Sequence, residues 1–340
     1  MTVVASVDDP RAIRAALVRS GSIDLNERIV RMQPLSGGVS SQILRIDLDT
    51  RSMCAKRALA RLRVDTDWQV PVERNEYEYC WLQTVARINA DAVPGVYGRD
   101  AESGWFAMQY LPPEQYPCWK QELREGRVDV RFAAHVGDCL GAIHAATAGR
   151  SDLAERFASD RIFDAIRLSP YLESTALAHP DLAHVIRKLI ETTAQTRVAL
   201  VHGDVSPKNL LVGESGPVFI DAECAWYGDP AFDLAFCLNH LLLKCVWVPQ
   251  AVAALSDSYR RLYAAYRSRV TWEPVAALER RAARLLPALA LARIDGKSTV
   301  EYLTATADIE RVRHFARGLL TEPCIQIEHV LECWRSEVTP

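Results

Sequence analysis

Asp204, Asn209 and Asp221 are the residues of this sequence whose types and spacing best suit chemistry, and all three fall in the run VALVHGDVSPKNLLVGESGPVFIDAE. Leu210-Leu211-Val212 and Val218-Phe219-Ile220 read as short strands joined by a Gly/Ser-rich turn from Gly213 to Gly216, and such strands pair antiparallel. Asn209 sits just before the first strand and Asp221 just after the second, so the hairpin sets an amide oxygen beside a carboxylate at its open end. Asp204 lies five positions before Asn209, on a loop that ends at the same place. Three oxygen-bearing side chains suit a hard cation such as Mg²⁺. Phosphoryl transfer needs ligands of this kind together with a carboxylate that orients and deprotonates an attacking hydroxyl. An isolated Asp-x-x-x-x-Asn is more often a polar turn that caps its own backbone. His202-Gly203 before it and Ile220-Asp221 after the hairpin lift it above that reading.

The elements that must position these groups are legible as patterns. Pro10 to Ser20 reads as a short amphipathic helix, and Ile29 to about Leu59 as short strands with a polar turn at Asp49 to Ser52. Val72 to Ala86 has helical spacing, and Trp105 to Met108 is an apolar strand stopped by Pro112-Pro113. A boundary is expected there, giving a β-rich lobe over residues 1–110 and a second lobe over 111–340. The second lobe should be mostly helical, over Val130 to Ala148, Leu182 to Arg197, Ala231 to Val246, Val252 to Ser268 and Val275 to Arg293, with the Val198 to Glu223 island as its β element. His144 reads as a packed helix histidine.

Composition bounds the class. The 340 residues are 49% hydrophobic and 24% charged, which is globular rather than disordered. A net charge of -3 gives no electrostatic case for a nucleic-acid partner. The longest apolar runs, such as Leu285 to Ala292, are far short of the ~20 residues that span a bilayer, so no membrane association is expected. Nine cysteines with no CxxC and no zinc-like spacing suggest scattered thiols in a reducing, cytoplasmic setting.

HGDVSPKN followed by FIDAECAWYGDPAFDLAF resembles the catalytic and metal-binding segments of the aminoglycoside phosphotransferase and choline kinase-like branch of the protein-kinase-like superfamily. LSGGVSSQILRID is similar to that branch's nucleotide-binding loop. CAKRALARLRV, the run Arg74 to Glu78, DAECAWYGDPAFD and Arg293 to Gly296 resemble methylthioribose kinases. Asn209 departs from the serine usual in methylthioribose kinases and matches the other kinases of the branch.

The resemblance implies a two-lobed, protein-kinase-like α+β fold and an ATP- and Mg²⁺-dependent kinase. It would phosphorylate a hydroxyl of a small molecule such as a sugar, an amino alcohol or an aminoglycoside-like compound. Asp204 would be the catalytic base, and Asn209 and Asp221 would hold Mg²⁺. Lys56 would meet the α- and β-phosphates, positioned by Glu76; Glu73 and Glu78 stay open as rivals, because helix register is loosely fixed by sequence. Gly37 and Gly38 would let the backbone close over the phosphates. Met108 would back the adenine, with the Gln109 carbonyl and the Leu111 amide on the base edge. His202 and Asp233 would brace the catalytic loop. Lys208, Arg293 and Lys297 are candidates near the transferred phosphoryl group or the acceptor. A nucleotide-binding pseudokinase serving as an interaction module is the alternative, and the complete set of Lys56, Asp204, Asn209 and Asp221 argues against it. A protein kinase is disfavoured by the HGD loop and by the short span from Asp221 to Asp233.

Overall fold

The computed structural model describes residues 9–35, 40–61 and 70–338. The chain divides into two compact units, Met1–Pro112 and Pro113–Pro340, so the division falls between the paired prolines.

The first unit opens on helix α1 (Pro10–Arg19), where Pro10 takes the first turn and the Asp9 carboxylate accepts from the Arg11 N–H at 3.0 Å. Strands β1 (Ile29–Pro34), β2 (Ser41–Leu48) and β3 (Ser52–Ala58) follow. Helix α2 (Arg74–Ala86) and strands β4 (Val96–Arg99) and β5 (Phe106–Gln109) complete the unit. The sheet is antiparallel in the order β1-β2-β3-β5-β4. Alternation of side chains gives it two faces with different work. Leu44, Ile46, Met53, Ala55, Trp105 and Ala107 pack with Ile13, Ala16 and Leu17 of α1 in one buried cluster. Lys56 and Cys54 alternate with Met53 and Ala55, so they face the other way, beside Phe106 and Met108, their cross-strand partners on β5.

The second unit begins with α3 (Trp119–Arg124), α4 (Val130–Thr147), α5 (Ser151–Arg156) and α6 (Asp160–Phe163). A π-helical stretch, Asp164–Glu173, runs on into α7 (Ser174–Ala178) and then α8 (Ala183–Gln195). Pro170 sits inside that stretch; proline lacks the N–H of a regular turn and crowds the preceding one, which favours such widening. Strand β6 (Ala199–Val201) pairs antiparallel with β9 (Trp226–Gly228), and β7 (Leu210–Gly213) pairs with β8 (Gly216–Phe219) in the expected hairpin. The remaining helices are α9 (Pro230–Trp247), α10 (Val252–Ser268), α11 (Val275–Asp295), α12 (Thr306–Thr321) and α13 (Ile327–Val338).

Helix α9 is buried from Pro230 through Val246, and α4 meets α10 through a close backbone approach at Gly137. A Cβ there would stand 2.1 Å from the Leu262 carbonyl oxygen, so only glycine fits. All nine cysteines are free thiols. Among the described residues, no helix is long and apolar enough to cross a membrane.

Candidate active site

Asp204 lies on the loop between β6 and β7, and that loop is fixed mainly by hydrogen bonds to backbone. Asp233, in the first turn of α9, is fully buried; its Oδ2 accepts from the His202 N–H at 2.7 Å and its Oδ1 from the Gly203 N–H at 2.8 Å. His144 supports Asp233 from below, with Nε2 at 3.3 Å from Oδ2 and Nδ1 at 2.8 Å from the Tyr266 hydroxyl. The packed helix histidine is therefore also a polar strut. The His202 Nδ1 accepts the Asp204 N–H at 3.1 Å, which leaves Nε2 as the donor to the Ile220 carbonyl, also at 3.1 Å. Gly203 has φ of 78°, and a Cβ there would meet Cys224 at 2.7 Å. The HGD sequence is thus a local demand of this turn.

The hairpin register puts Leu210 opposite Phe219, and the Ile220 N–H donates to the Asn209 carbonyl at 3.0 Å. Asn209 and Asp221 therefore flank the same open end. Asn209 Nδ2 donates to the Asp204 carbonyl at 3.1 Å, which commits its amino group and leaves Oδ1 as the atom able to ligate a cation. Asp221 is the sole non-glycine among the described residues with positive φ, 65°. Such backbone is sparsely populated and persists where the surroundings over-determine it. Its carboxylate lies near enough to raise the Asp204 carboxyl. One amide oxygen and one carboxylate form an oxygen-only donor set, which fits a hard divalent cation that keeps waters and phosphates as its other ligands.

The Asp204 carboxylate is itself buried, at 4% exposure. Arg167, from the π-helical stretch, places Nη2 2.7 Å from Oδ2, and Lys208 places Nζ 3.2 Å from the same oxygen. Burial pushes this carboxyl up, but Arg167 and then Lys208 outweigh it and hold the group below the usual carboxylate range. Arg167 is locked in turn by donating Nε to the Gly203 carbonyl and Nη1 to the Ile166 carbonyl.

A cavity with about 70 Å³ of free space opens beside Asp204. Its lining includes Ser206, Lys208, His240, Lys244, Arg293 and Tyr302. Arg293 thus shares a cavity with Asp204. Lys297 is not among the lining residues; its backbone N–H donates to the Pro170 carbonyl at 2.9 Å.

In the first unit, Lys56 is 2% exposed and lies 2.7 Å from Glu78, which is 1% exposed. The expectation that Glu76 positions Lys56 is corrected here. Glu76 lies on the exposed side of α2, 3.1 Å from Arg99. The register of α2 turns position 78, rather than 76, toward β3. Met108 and Gln109 end β5, and Leu111 follows beyond Tyr110. The expected phosphate loop, Gly37 and Gly38, lies outside the described residues.

Sequence reasoning missed Arg167, Tyr171, His240 and Lys244. A signal existed for two of these. Asp233, His240 and Lys244 recur at helical spacing on a helix that is otherwise apolar but for Asn239, and buried polar residues at such spacing ask for a partner. Arg167 gave no such signal, because Pro170 interrupts the helical pattern around it.

A β-rich unit followed by a helical unit, with this loop and hairpin in the second, defines a protein-kinase-like α+β fold. The chain belongs to the phosphotransferase enzyme family, whose model matches residues 31–278. It is 24% identical to a methylthioribose kinase of Escherichia coli over 242 residues, which are 63% of this chain and 57% of that relative. The chain spans little more than half the length of the first curated relatives that it matches. Among solved structures it is similar to an amicoumacin kinase in complex with AMP-PNP, Ca²⁺ and Ami, with a TM-score of 0.60 and 10% identity over 95% of this chain and 97% of that one. A choline kinase from Cryptosporidium parvum Iowa II gives a TM-score of 0.58 and 13% identity, over 95% of this chain and all of the other. At these identities the likeness is one of fold.

Proposed function

We propose that this protein is an ATP- and Mg²⁺-dependent kinase that moves the γ-phosphoryl group to a hydroxyl of a small molecule. The observation that carries the reading is the convergence of Asp204, Asn209 and Asp221 at the open end of one hairpin. Mg²⁺, held by Asn209 and Asp221, would neutralise triphosphate charge. Lys56, kept in place by Glu78, would meet the α- and β-phosphates, and Gly37 and Gly38 would let the backbone approach them. Met108 shares a sheet face with Lys56, which supports its place behind the adenine, with the Gln109 carbonyl and the Leu111 amide on the base edge. On this reading residues 1–110 bind nucleotide and residues 111–340 carry catalysis and the acceptor. The free thiols support a cytoplasmic setting.

Asp204 would accept a hydrogen bond from the acceptor hydroxyl and aim its oxygen at the γ-phosphorus. The new O–P bond forms as the β,γ-bridging O–P bond breaks, ADP leaves with that electron pair, and the hydroxyl proton passes to Asp204. A carboxylate held below its usual range is a weak base, so Asp204 works mainly by orientation and takes the proton late, which suits a loose phosphoryl-transfer transition state.

The test is acceptor-stimulated ADP formation from ATP and Mg²⁺ across sugars, amino alcohols, aminoglycosides and hydroxy acids. Asp204→Asn should retain nucleotide binding and lose at least ~10²-fold in turnover, the scale of a positioned acid–base group. Full turnover in that variant, or no acceptor-dependent ADP with any compound, overturns the reading.

A further inference from the structure

The cavity beside Asp204 has more cationic side chains than carboxylates. Lys120, Lys208, Lys244 and Arg293 line it, against Asp204 and Glu301. Lys208 is paired with Asp204, and Lys120 with Glu301. Among the described residues, Arg293 and Lys244 have no carboxylate at ion-pair distance. The Arg293 Nη1 is held by the Tyr171 hydroxyl at 3.1 Å and by Ser298, while its buried Nε has no hydrogen-bond partner among the described residues.

Lys244 is the more telling of the two. It projects from α9 into the cavity at 1% exposure, and its ammonium has no hydrogen-bond acceptor among the described residues. It has aromatic faces instead, with Nζ 3.6 Å from the Tyr302 ring centroid and 4.2 Å from that of Trp247. One turn earlier on the same helix, His240 is 7% exposed, lines the cavity and makes a ring contact with Phe236. The Tyr302 hydroxyl and the Ser206 hydroxyl, both in the lining, are likewise buried without hydrogen-bond partners among the described residues. Buried polar groups are ordinarily paired, and each one left over calls for an explanation. Here they are donors converging on one small space.

We infer that the acceptor carries an oxyanion, a carboxylate or a phosphate, that is received by Lys244 and Arg293 with the Tyr302 hydroxyl while its own hydroxyl is presented to Asp204. The inference rests on the kinase reading for what happens to the hydroxyl, but the anion site stands on its own geometry. Water fills on the order of 10–15 Å³ of such space, so 70 Å³ of free space suits a compact acid rather than a polycation. Arg293, a cation with no carboxylate beside it among the described residues, would also repel ammonium groups of an acceptor. Burial, and then Lys120, push the Lys244 amine down to about 6, against the opposing pull of Glu301. Arg293 and Cys118 act on it as well, and His240 and Tyr302 face it in the same cavity. An arriving anion would therefore bring a proton onto Lys244.

The experiment is calorimetric titration of the full chain with D-glycerate, glycerol 3-phosphate, glycerol and ethanolamine at pH 7.5, in buffers of different ionisation enthalpy. At least one of the two anions should bind tenfold or more tighter than glycerol, on the order of one charge-assisted contact, with uptake of up to about one proton. The tighter of the two identifies the oxyanion. Lys244→Met should lose both the preference and the proton. Lys244→Arg, always charged, should keep the preference without the proton, which separates a charge effect from a folding defect. Glycerol or ethanolamine binding as well as the anions, no binding by either anion, or an unchanged preference in Lys244→Met overturns the inference. ADP formation is read in parallel. Equal turnover of glycerol and glycerate defeats the anion site and leaves the kinase reading intact. Anion binding with proton uptake but no phosphorylation of any compound does the reverse.

Discussion

At the scale of single residues, the site is governed by how Asp204 is held. Its buried carboxylate faces Arg167 and Lys208 on one oxygen, a pairing invisible in sequence because Arg167 comes from a distant, proline-interrupted stretch. Arg167 also ties the Gly203 carbonyl, so it fixes both the charge and the backbone of the loop. We expect Arg167→Gln to raise the Asp204 carboxyl, since burial would then be opposed by Lys208 alone among the two cations. On the proposed reading Asp204 is the base and must be ionised in the free protein, so the acid limb of kcat/KM against pH should move to higher pH. Stability follows the same sign. The depressed folded-state carboxyl contributes stability above the ordinary carboxylate range and loses it as pH falls, and in the variant that contribution, and so the loss on acidification, should be smaller. A pH–rate profile together with melting at two pH values checks this; an unmoved acid limb would show that Arg167 has no electrostatic hold on the base.

The β7–β8 hairpin is the element that brings the proposed metal ligands together, and it was legible from sequence. Alternation and a Gly-rich turn define both strands, and pairing alone brings Asn209 to Asp221. The helices with strong apolar periodicity, α4 and α8 through α11, were equally legible, whereas the π-helical stretch and the shorter helices around it lack a pattern of their own. The choice among Glu73, Glu76 and Glu78 depended on the rotation of α2 against β3, which tertiary packing sets. Asp221→Ala removes the charged ligand from a strained position, and Asn209→Ala removes a neutral one that also donates to the Asp204 carbonyl. We expect Asp221→Ala to abolish the Mg²⁺-dependent part of nucleotide binding and Asn209→Ala to weaken it less, because a neutral amide offers a hard cation less than a carboxylate does. Titration of nucleotide with and without Mg²⁺ is the measurement. Equal, metal-independent affinity in wild type and both variants would remove the hairpin from metal binding.

At the scale of the whole molecule, a net charge of -3 conceals a cavity whose cations outnumber its acids, so composition offered no electrostatic case for a nucleic-acid partner and said nothing of the acceptor. Local charge carries its own signature in global stability. Lys244 has an ordinary value of 10.5 and is pushed down to about 6 by burial and then by Lys120. Between those values the unfolded chain binds a proton that the folded chain does not, so the folded state gains stability as pH rises through that window. The slope from one such group is at most about 1.4 kcal/mol per pH unit. The destabilisation is fully present below about pH 6 and gone near pH 10.5. Lys244→Met keeps most of the side-chain volume and removes the titration. It should therefore melt higher than wild type at pH 7, with the gap closing as pH approaches 10. Saturating glycerate or glycerol 3-phosphate, whichever binds, should narrow the gap from the other side, because a ligand bound only by the folded state stabilises it in proportion to the logarithm of its concentration. Melting temperatures of both proteins across pH 6 to 10, with and without the anion, decide the matter. A variant less stable than wild type throughout would mean that the aromatic faces of Tyr302 and Trp247 already satisfy a charged Lys244, and that its place in the cavity is structural.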